Sequence, residues 1–205
     1  MSRSNPSGPT LSPIARSAAT STAPTLPTTD PQETDVSEPA DSDAVVLRRR
    51  AGVLDFEFAA HHCFACGELN EHGLRLQLHL DEGRCWSELA LGPDFEGWEG
   101  IVHGGILTTI LDEVMAWALV ATDAWGVTAR LTTDFKRPVR IGQRIRAEGW
   151  LGATRRRLID TEARIVDVES GELLATAKGL YVAAPPDQRA MLKKRYRFRL
   201  VEPAE

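Results

Sequence analysis

The sequence is poor in cysteine, with three in 205 residues, which is too few for a disulfide framework. It also lacks an apolar run long enough for a membrane. The longest such stretch, Ile106 to Ala121, is shorter than the ~20 residues that span a bilayer, and Asp112 and Glu113 sit in its middle. No transmembrane anchor is expected. The start is polar and Pro-containing with no apolar run behind it, so no secretory signal is read and the cytoplasm is the expected compartment. Residues 1–44 hold few large apolar side chains. Ser, Thr and Pro fill 22 of those positions, and the large apolar residues are Met1, Leu11, Ile14, Leu26 and Val36. A segment of that composition cannot bury enough surface to offset its chain entropy, so a disordered tail is expected over 1–44. The tail carries six acidic and two basic residues, so of the formal −5 only −1 remains for the rest. A nearly neutral body is not expected to bind nucleic acid.

The body has clear periodicity. Leu74, Leu76, Leu78 and Leu80 alternate with Arg75, Gln77 and His79, the period of a half-buried strand. Asp81-Glu82-Gly83 turns it into a second strand, Arg84 to Leu91. Residues 104–122 change to helical spacing, with Ile106, Ile110, Val114 (or Leu111), Trp117 and Ala121 recurring every three to four positions and apolar residues around most of the circumference. Four further strands follow: Thr128 to Phe135, Arg144 to Leu151, Leu158 to Val166 and Leu173 to Ala183. The order β-β-α-β-β-β-β, with short turns and one apolar helix, predicts an α+β fold in which a curved, mostly antiparallel sheet of about six strands wraps one long central helix. The folded domain spans 45–184. Residues 185–205, rich in Lys and Arg with interleaved aromatics, read as a basic C-terminal surface extension.

Chemistry concentrates in Gly100-Ile-Val-His103-Gly104-Gly105 and the helix it opens. Free N–H groups in a helix's first turn, backed by the helix dipole, suit an oxyanion, although Gly-Gly can equally serve a tight loop-to-helix junction. Asp112 is the stronger signal, because a carboxylate inside an apolar helix is costly unless partnered, and such groups gather at functional sites. A buried salt bridge is the alternative. Glu113 lies about 100° further around the helix and so cannot face the same spot, which makes it a structural or rim residue.

Three motifs in order, Cys63-x-x-Cys66-Gly67-x-x-Asn70-x-x-Gly73-Leu74, Val102-His103-Gly104-Gly105 with Asp112 nine residues after the His, and Thr128-Ala-x-Leu-x-x-x-Phe-Lys-Arg-Pro138, resemble the hotdog-fold acyl-CoA thioesterases of the PaaI-like branch. The resemblance covers about Cys63 to Ala184. It implies that Gly105 N–H polarises the thioester carbonyl, that Asp112 is nucleophile or general base, that Thr128 helps hold the attacking water, and that His103 orients the carbonyl end. Nine helical residues span ~13 Å, so His103 and Gly105 cannot meet Asp112 of their own chain at one carbonyl. The resemblance implies a homodimer, with Gly105 of one protomer facing Asp112 and Thr128 of the other; dimers of dimers stay open. Members often carry Asn or Gln six or seven residues before the motif His, where this sequence has Glu96 and Gly97, and Asn70-Glu71 replaces a common Asn-Pro pair.

Other candidates come from single residues. Lys136, Arg137 and the run Arg155, Arg156 and Arg157 are cations for the phosphates of coenzyme A, with Gly104 at the substrate end of the helix. Trp98 and Trp117 are placed at an acyl pocket, core packing being the equal alternative for Trp117. His61-His62-Cys63-x-x-Cys66 has zinc-like spacing, but no second Cys pair or distant His pair completes four ligands, so no metal is expected. Cys85 reads as core. The expected function is hydrolysis of acyl-CoA to acid and CoA without a cofactor. The alternatives are a hotdog module that binds acyl-CoA without turning it over and, less favoured, a hydratase or dehydratase on the same fold.

Overall fold

The alternating runs of the body become strands, and the all-round apolar segment becomes the helix they cover. The computed structural model describes residues 46–51, 54–81 and 83–201; the expected tail over 1–44 and the turn residue Glu82 lie outside them. In chain order the elements are β1 (Val46–Ala51), β2 (Leu54–Ala59), β3 (His79–Asp81), β4 (Arg84–Ala90), β5 (Glu96–Trp98), β6 (Ile101–Val102), α1 (Gly104–Val120), β7 (Gly126–Phe135), β8 (Arg144–Arg155), β9 (Leu158–Asp167), β10 (Leu173–Ala183), α2 (Pro186–Arg195) and β11 (Arg199–Val201). The main sheet has six strands in the order β3-β4-β8-β9-β10-β7, every neighbour antiparallel. This is the expected α+β hotdog arrangement.

Helix α1 lies on one face of that sheet. Ile110, Val114, Met115 and Ala118 are fully buried, and so is Leu111 further round, which is why the sequence shows no polar face. Gly149 on β8 lets the helix sit this close. A Cβ there would stand 2.6 Å from the carbonyl carbon of Val114 and 2.7 Å from the Met115 nitrogen, and backbone cannot move aside.

Two segments differ from the sequence expectation. The alternation from Leu74 to Leu78 survives as burial, with Leu76 and Leu78 inside, but only His79–Asp81 joins the sheet. Arg75 has φ +49°, which breaks the extended backbone. The stretch instead bonds the cysteine loop, Leu74 N–H donating to Phe64 O at 2.8 Å and Leu76 N–H to Ala65 O at 2.9 Å.

The second correction concerns residues after Ala184, which are more than a surface extension. Strand β11 pairs with β2 to make a three-stranded sheet, β1-β2-β11. Phe198 is buried against Phe56, Phe58 and Trp125. The charged residues between these aromatics face solvent, and so the segment reads as surface although its apolar positions finish the core.

Candidate active site

Asp112 sits midway along α1, and the sheet brings two hydroxyls to it. Thr128 Oγ1 donates to Asp112 Oδ1 at 2.9 Å. The Tyr181 hydroxyl lies 2.6 Å from the same oxygen and 2.9 Å from the Asp112 carbonyl oxygen. Thr128 on β7 and Tyr181 on β10 are register partners, and the pairing slips by a residue just beside them, between Leu180 and Tyr181. A bulge at this point re-aims side chains locally. Burial and the neighbouring Asp112 charge push the Tyr181 hydroxyl well above its ordinary pKa, so it is a neutral donor. Both hydroxyls engage Oδ1, leaving Oδ2 with no donor among the described residues. A carboxylate oriented through one oxygen and open at the other can accept a proton from water or attack a carbonyl.

Tyr181 is the residue that the sequence reading missed. The signal was its place on the inward face of β10: a phenol buried by strand alternation needs a partner for its O–H.

Glu113 takes a separate role, as helical geometry requires. Its Oε1 accepts from Trp117 Nε1 at 2.8 Å. Burial pushes its carboxyl up to about 7, with the Cys66 thiol among the neighbours that act on it. Trp117 is not at an open pocket: it is buried between Phe56 and Phe58, at ring separations of 5.4 and 5.0 Å. Core packing therefore replaces the acyl-pocket expectation for this residue.

The other expected half of the site stands at the start of α1. His103 is the N-cap, and its Nδ1 accepts the Gly105 N–H at 3.0 Å. The N–H expected to hold an oxyanion is thus engaged by its own cap. Gly97 makes room for this imidazole, since a Cβ there would meet His103 Cα at 3.0 Å and Cδ2 at 3.2 Å. That gives the glycine at the departure from the family pattern a steric reason. Gly104 faces Phe135, whose Cζ would be 3.2 Å from an added Cβ.

These two halves lie at different ends of one strand. Gly104 abuts Phe135 at the end of β7, while Thr128 lies near its start. Lys136 and Arg137 follow Phe135, eight and nine residues beyond Thr128, or ~26 Å or more along an extended chain. Arg156 caps the β8–β9 turn with φ +58°, at the Thr128 end. The proposed cations are therefore split between the two ends. Arg137 is also ion-paired with Glu172. It borders a surface cavity of about 590 Å³ with Arg140, Ile101 and Leu174, whose lining includes neither Asp112 nor Thr128. Trp98 is 84% exposed on β5 and is not part of that cavity's lining.

Comparison with known proteins agrees with this architecture. Residues 99–174 match the model of the Thioesterase superfamily. The acyl-coenzyme A thioesterase THEM4 of Bos taurus is 27% identical over 108 residues, 53% of this chain and 44% of that protein. A solved thioesterase superfamily protein is 27% identical with a TM-score of 0.57, over 60% of this chain and 64% of its own. The Escherichia coli PaaI protein of the phenylacetic acid degradation operon shares 20% identity and a TM-score of 0.51, over 54% of this chain and 80% of its own. The chain spans less than half the length of the THEM4 relative and under two thirds of the first solved structure. Among the described residues no helix is long and apolar enough to cross a membrane. The six-stranded sheet with α1 on its face is thus the hotdog fold, and residues 99–174 within it are similar to the Thioesterase superfamily.

Proposed function

We propose that this chain hydrolyses acyl-CoA thioesters. The observation that carries the reading is the Asp112 carboxylate, set in an apolar helix and held through one oxygen by Thr128 and Tyr181. With Asp112 as base, water loses a proton to Oδ2 and adds to the thioester carbonyl; the tetrahedral intermediate then expels CoA as its thiolate and leaves the free acid. With Asp112 as nucleophile, the carboxylate attacks first, CoA leaves, and water cleaves the resulting anhydride. In either course negative charge develops on the carbonyl oxygen, for which Gly105 N–H at the positive end of α1 is the donor. To serve, that N–H must exchange the His103 ring for the substrate oxygen. His103 then orients the carbonyl end.

Two copies supply one site. Among the described residues the outer edge of β7 has no strand partner, and Val127 and Phe135 are 72% and 53% exposed on it. Antiparallel pairing of β7 with β7 of a second copy sets the Phe135 end of one chain beside the Thr128 end of the other. That brings Gly105, Lys136 and Arg137 of one protomer toward Asp112, Thr128 and Arg156 of its mate, which gathers the cations that a single chain separates. Such an edge pairing also removes an otherwise unprotected strand edge.

The engaged Gly105 N–H favours one competing reading, a domain that binds acyl-CoA without turnover. Thiol release from short, long and aromatic acyl-CoAs separates the two, since turnover of any of them excludes binding alone and turnover of none overturns hydrolysis. For the shared site, inactive Asp112→Asn chains mixed with inactive Gly105→Val chains should regain part of the activity as heterodimers. Heterodimers that form and stay inactive would refute the shared geometry.

A further inference from the structure

The first sequence motif, Cys63-x-x-Cys66-Gly67-x-x-Asn70-x-x-Gly73, plays no part in the proposed chemistry, yet the fold builds it with care. Gly67 N–H closes the turn on Cys63 O at 2.9 Å. A Cβ on Gly67 would stand 2.4 Å from Cys63 N and His61 O, so glycine is required there for close backbone approach. Gly73 is equally constrained, 2.5 Å from Phe64 O. Asn70 Oδ1 accepts the His72 N–H at 3.0 Å, and its backbone oxygen accepts from Gly73 N–H and Arg75 Nε. The His61 ring is wedged edge-on against Phe58 and Tyr196.

What these restraints hold in place is a set of donor atoms. Cys66 Sγ lies 3.3 Å from His61 Nε2, and the ligand atoms of His61, Cys63 and Cys66 all fall within 4.8 Å of one another. From α1, the Glu113 carboxylate stands near enough to Cys66 to act on its thiol, just outside the three-residue cluster.

We propose that His61, Cys63 and Cys66 bind a thiophilic divalent cation of the zinc class, with the Glu113 carboxylate as the fourth ligand. Tetrahedral zinc with bonds of ~2.3 Å to sulfur and ~2.0 Å to nitrogen or oxygen needs donors about 3.3–3.8 Å apart; the His61, Cys63 and Cys66 donors already lie within 4.8 Å of one another, and Glu113, outside that set, completes the shell by a side-chain shift toward Cys66. Trp117 Nε1 holds the other aspect of Glu113, the kind of outer hydrogen bond that orients a ligating carboxylate. Counting ligands in the sequence disfavoured a metal because no further Cys or His pair follows. The fold supplies the missing donor from a helix 47 residues beyond Cys66. Simple oxidation of Cys63 and Cys66 to a disulfide would use two of the four groups and give no role to His61 or Glu113. The metal would pin the 61–73 loop to the middle of α1, one residue from Asp112.

The test uses the full chain purified without chelator and kept reduced. Elemental analysis should find close to one zinc per chain, and cobalt(II) exchanged into the reduced protein should show a thiolate charge-transfer band with the strong visible bands of a tetrahedral site. Cys63→Ser and Cys66→Ser should abolish both signals and Cys85→Ser neither, since the Cys85 sulfur is not among the clustered donor atoms. Glu113→Gln should keep the thiolate band but weaken affinity at least tenfold. Folded, reduced wild-type chain that takes up neither metal at micromolar concentration overturns the site without reference to any variant. So does uptake that survives loss of both cysteines, or a native Cys63–Cys66 disulfide that, once reduced, still leaves the protein without metal.

Discussion

Asp112→Asn separates chemistry from folding at the proposed site. The asparagine Oδ1 still accepts from Thr128 and Tyr181, which now lie 2.9 and 2.6 Å from the carboxylate oxygen. Each bond changes from charge-assisted to neutral, a loss of about 1 kcal/mol, so roughly 2 kcal/mol for the pair. Against this, the helix no longer has to hold an ionised group among apolar side chains, which offsets a similar amount. Stability should therefore change by no more than about 1–2 kcal/mol in either direction. Catalysis is different, because the amide can neither accept a proton from water nor attack a carbonyl. Turnover should fall by ~10²–10⁴, or roughly 3–5 kcal/mol of barrier, with KM kept within a few-fold. Steady-state thiol release and urea unfolding on the same preparation measure both quantities. Tyr181→Phe provides the graded comparison: it removes one of the two donors to Oδ1, leaves Thr128 in place, and should cost about 1.5 kcal/mol, close to tenfold in kcat. Near-normal turnover in Asp112→Asn would refute its role as base or nucleophile, whatever Tyr181→Phe does.

Two other outcomes test the packing. Phe198→Ala should destabilise the domain by about 3 kcal/mol in urea unfolding, because its ring fills a cluster with Phe56, Phe58 and Trp125; an unchanged midpoint would return the C-terminal segment to a surface role. Asp167 closes the β9–β10 turn, accepting from Gln143 Nε2, Ser170 N–H and hydroxyl, and Glu169 N–H, bonds that hold its carboxyl down to about 2. A depressed acid stabilises the fold above its ordinary pKa of 3.8 and loses that contribution as pH falls toward 2. Melting of the parent and of Asp167→Asn should therefore differ at pH 5–7 and converge near pH 2, whereas a constant gap across that range would refute the linkage.

Much of this fold is written in local pattern. Period-two runs at 84–91, 128–135, 144–151, 158–166 and 173–183 and the apolar stretch from 104 each became the element their spacing predicts, because an apolar face or stripe has few ways to leave water. The same patterning made Asp112 conspicuous, a charge where every neighbour is apolar. Other features depend on contacts between distant segments. Tyr181 reaches Asp112 across 69 residues, and no local pattern reports which carboxylate a buried phenol will meet. The left-handed Arg75 that ends an otherwise regular alternation, and Phe198 completing a core begun at Phe56, likewise depend on tertiary contacts. Glu113 is the clearest case: spacing turned it away from Asp112, but only the packing of the 61–73 loop on α1 decided that it would stand beside Cys66 rather than solvent. Sequence determines which faces must be buried, through the free energy of removing apolar surface from water. Which polar groups then meet is decided by the tertiary fold, because their partners are chosen by the cost of leaving any of them unpaired inside it.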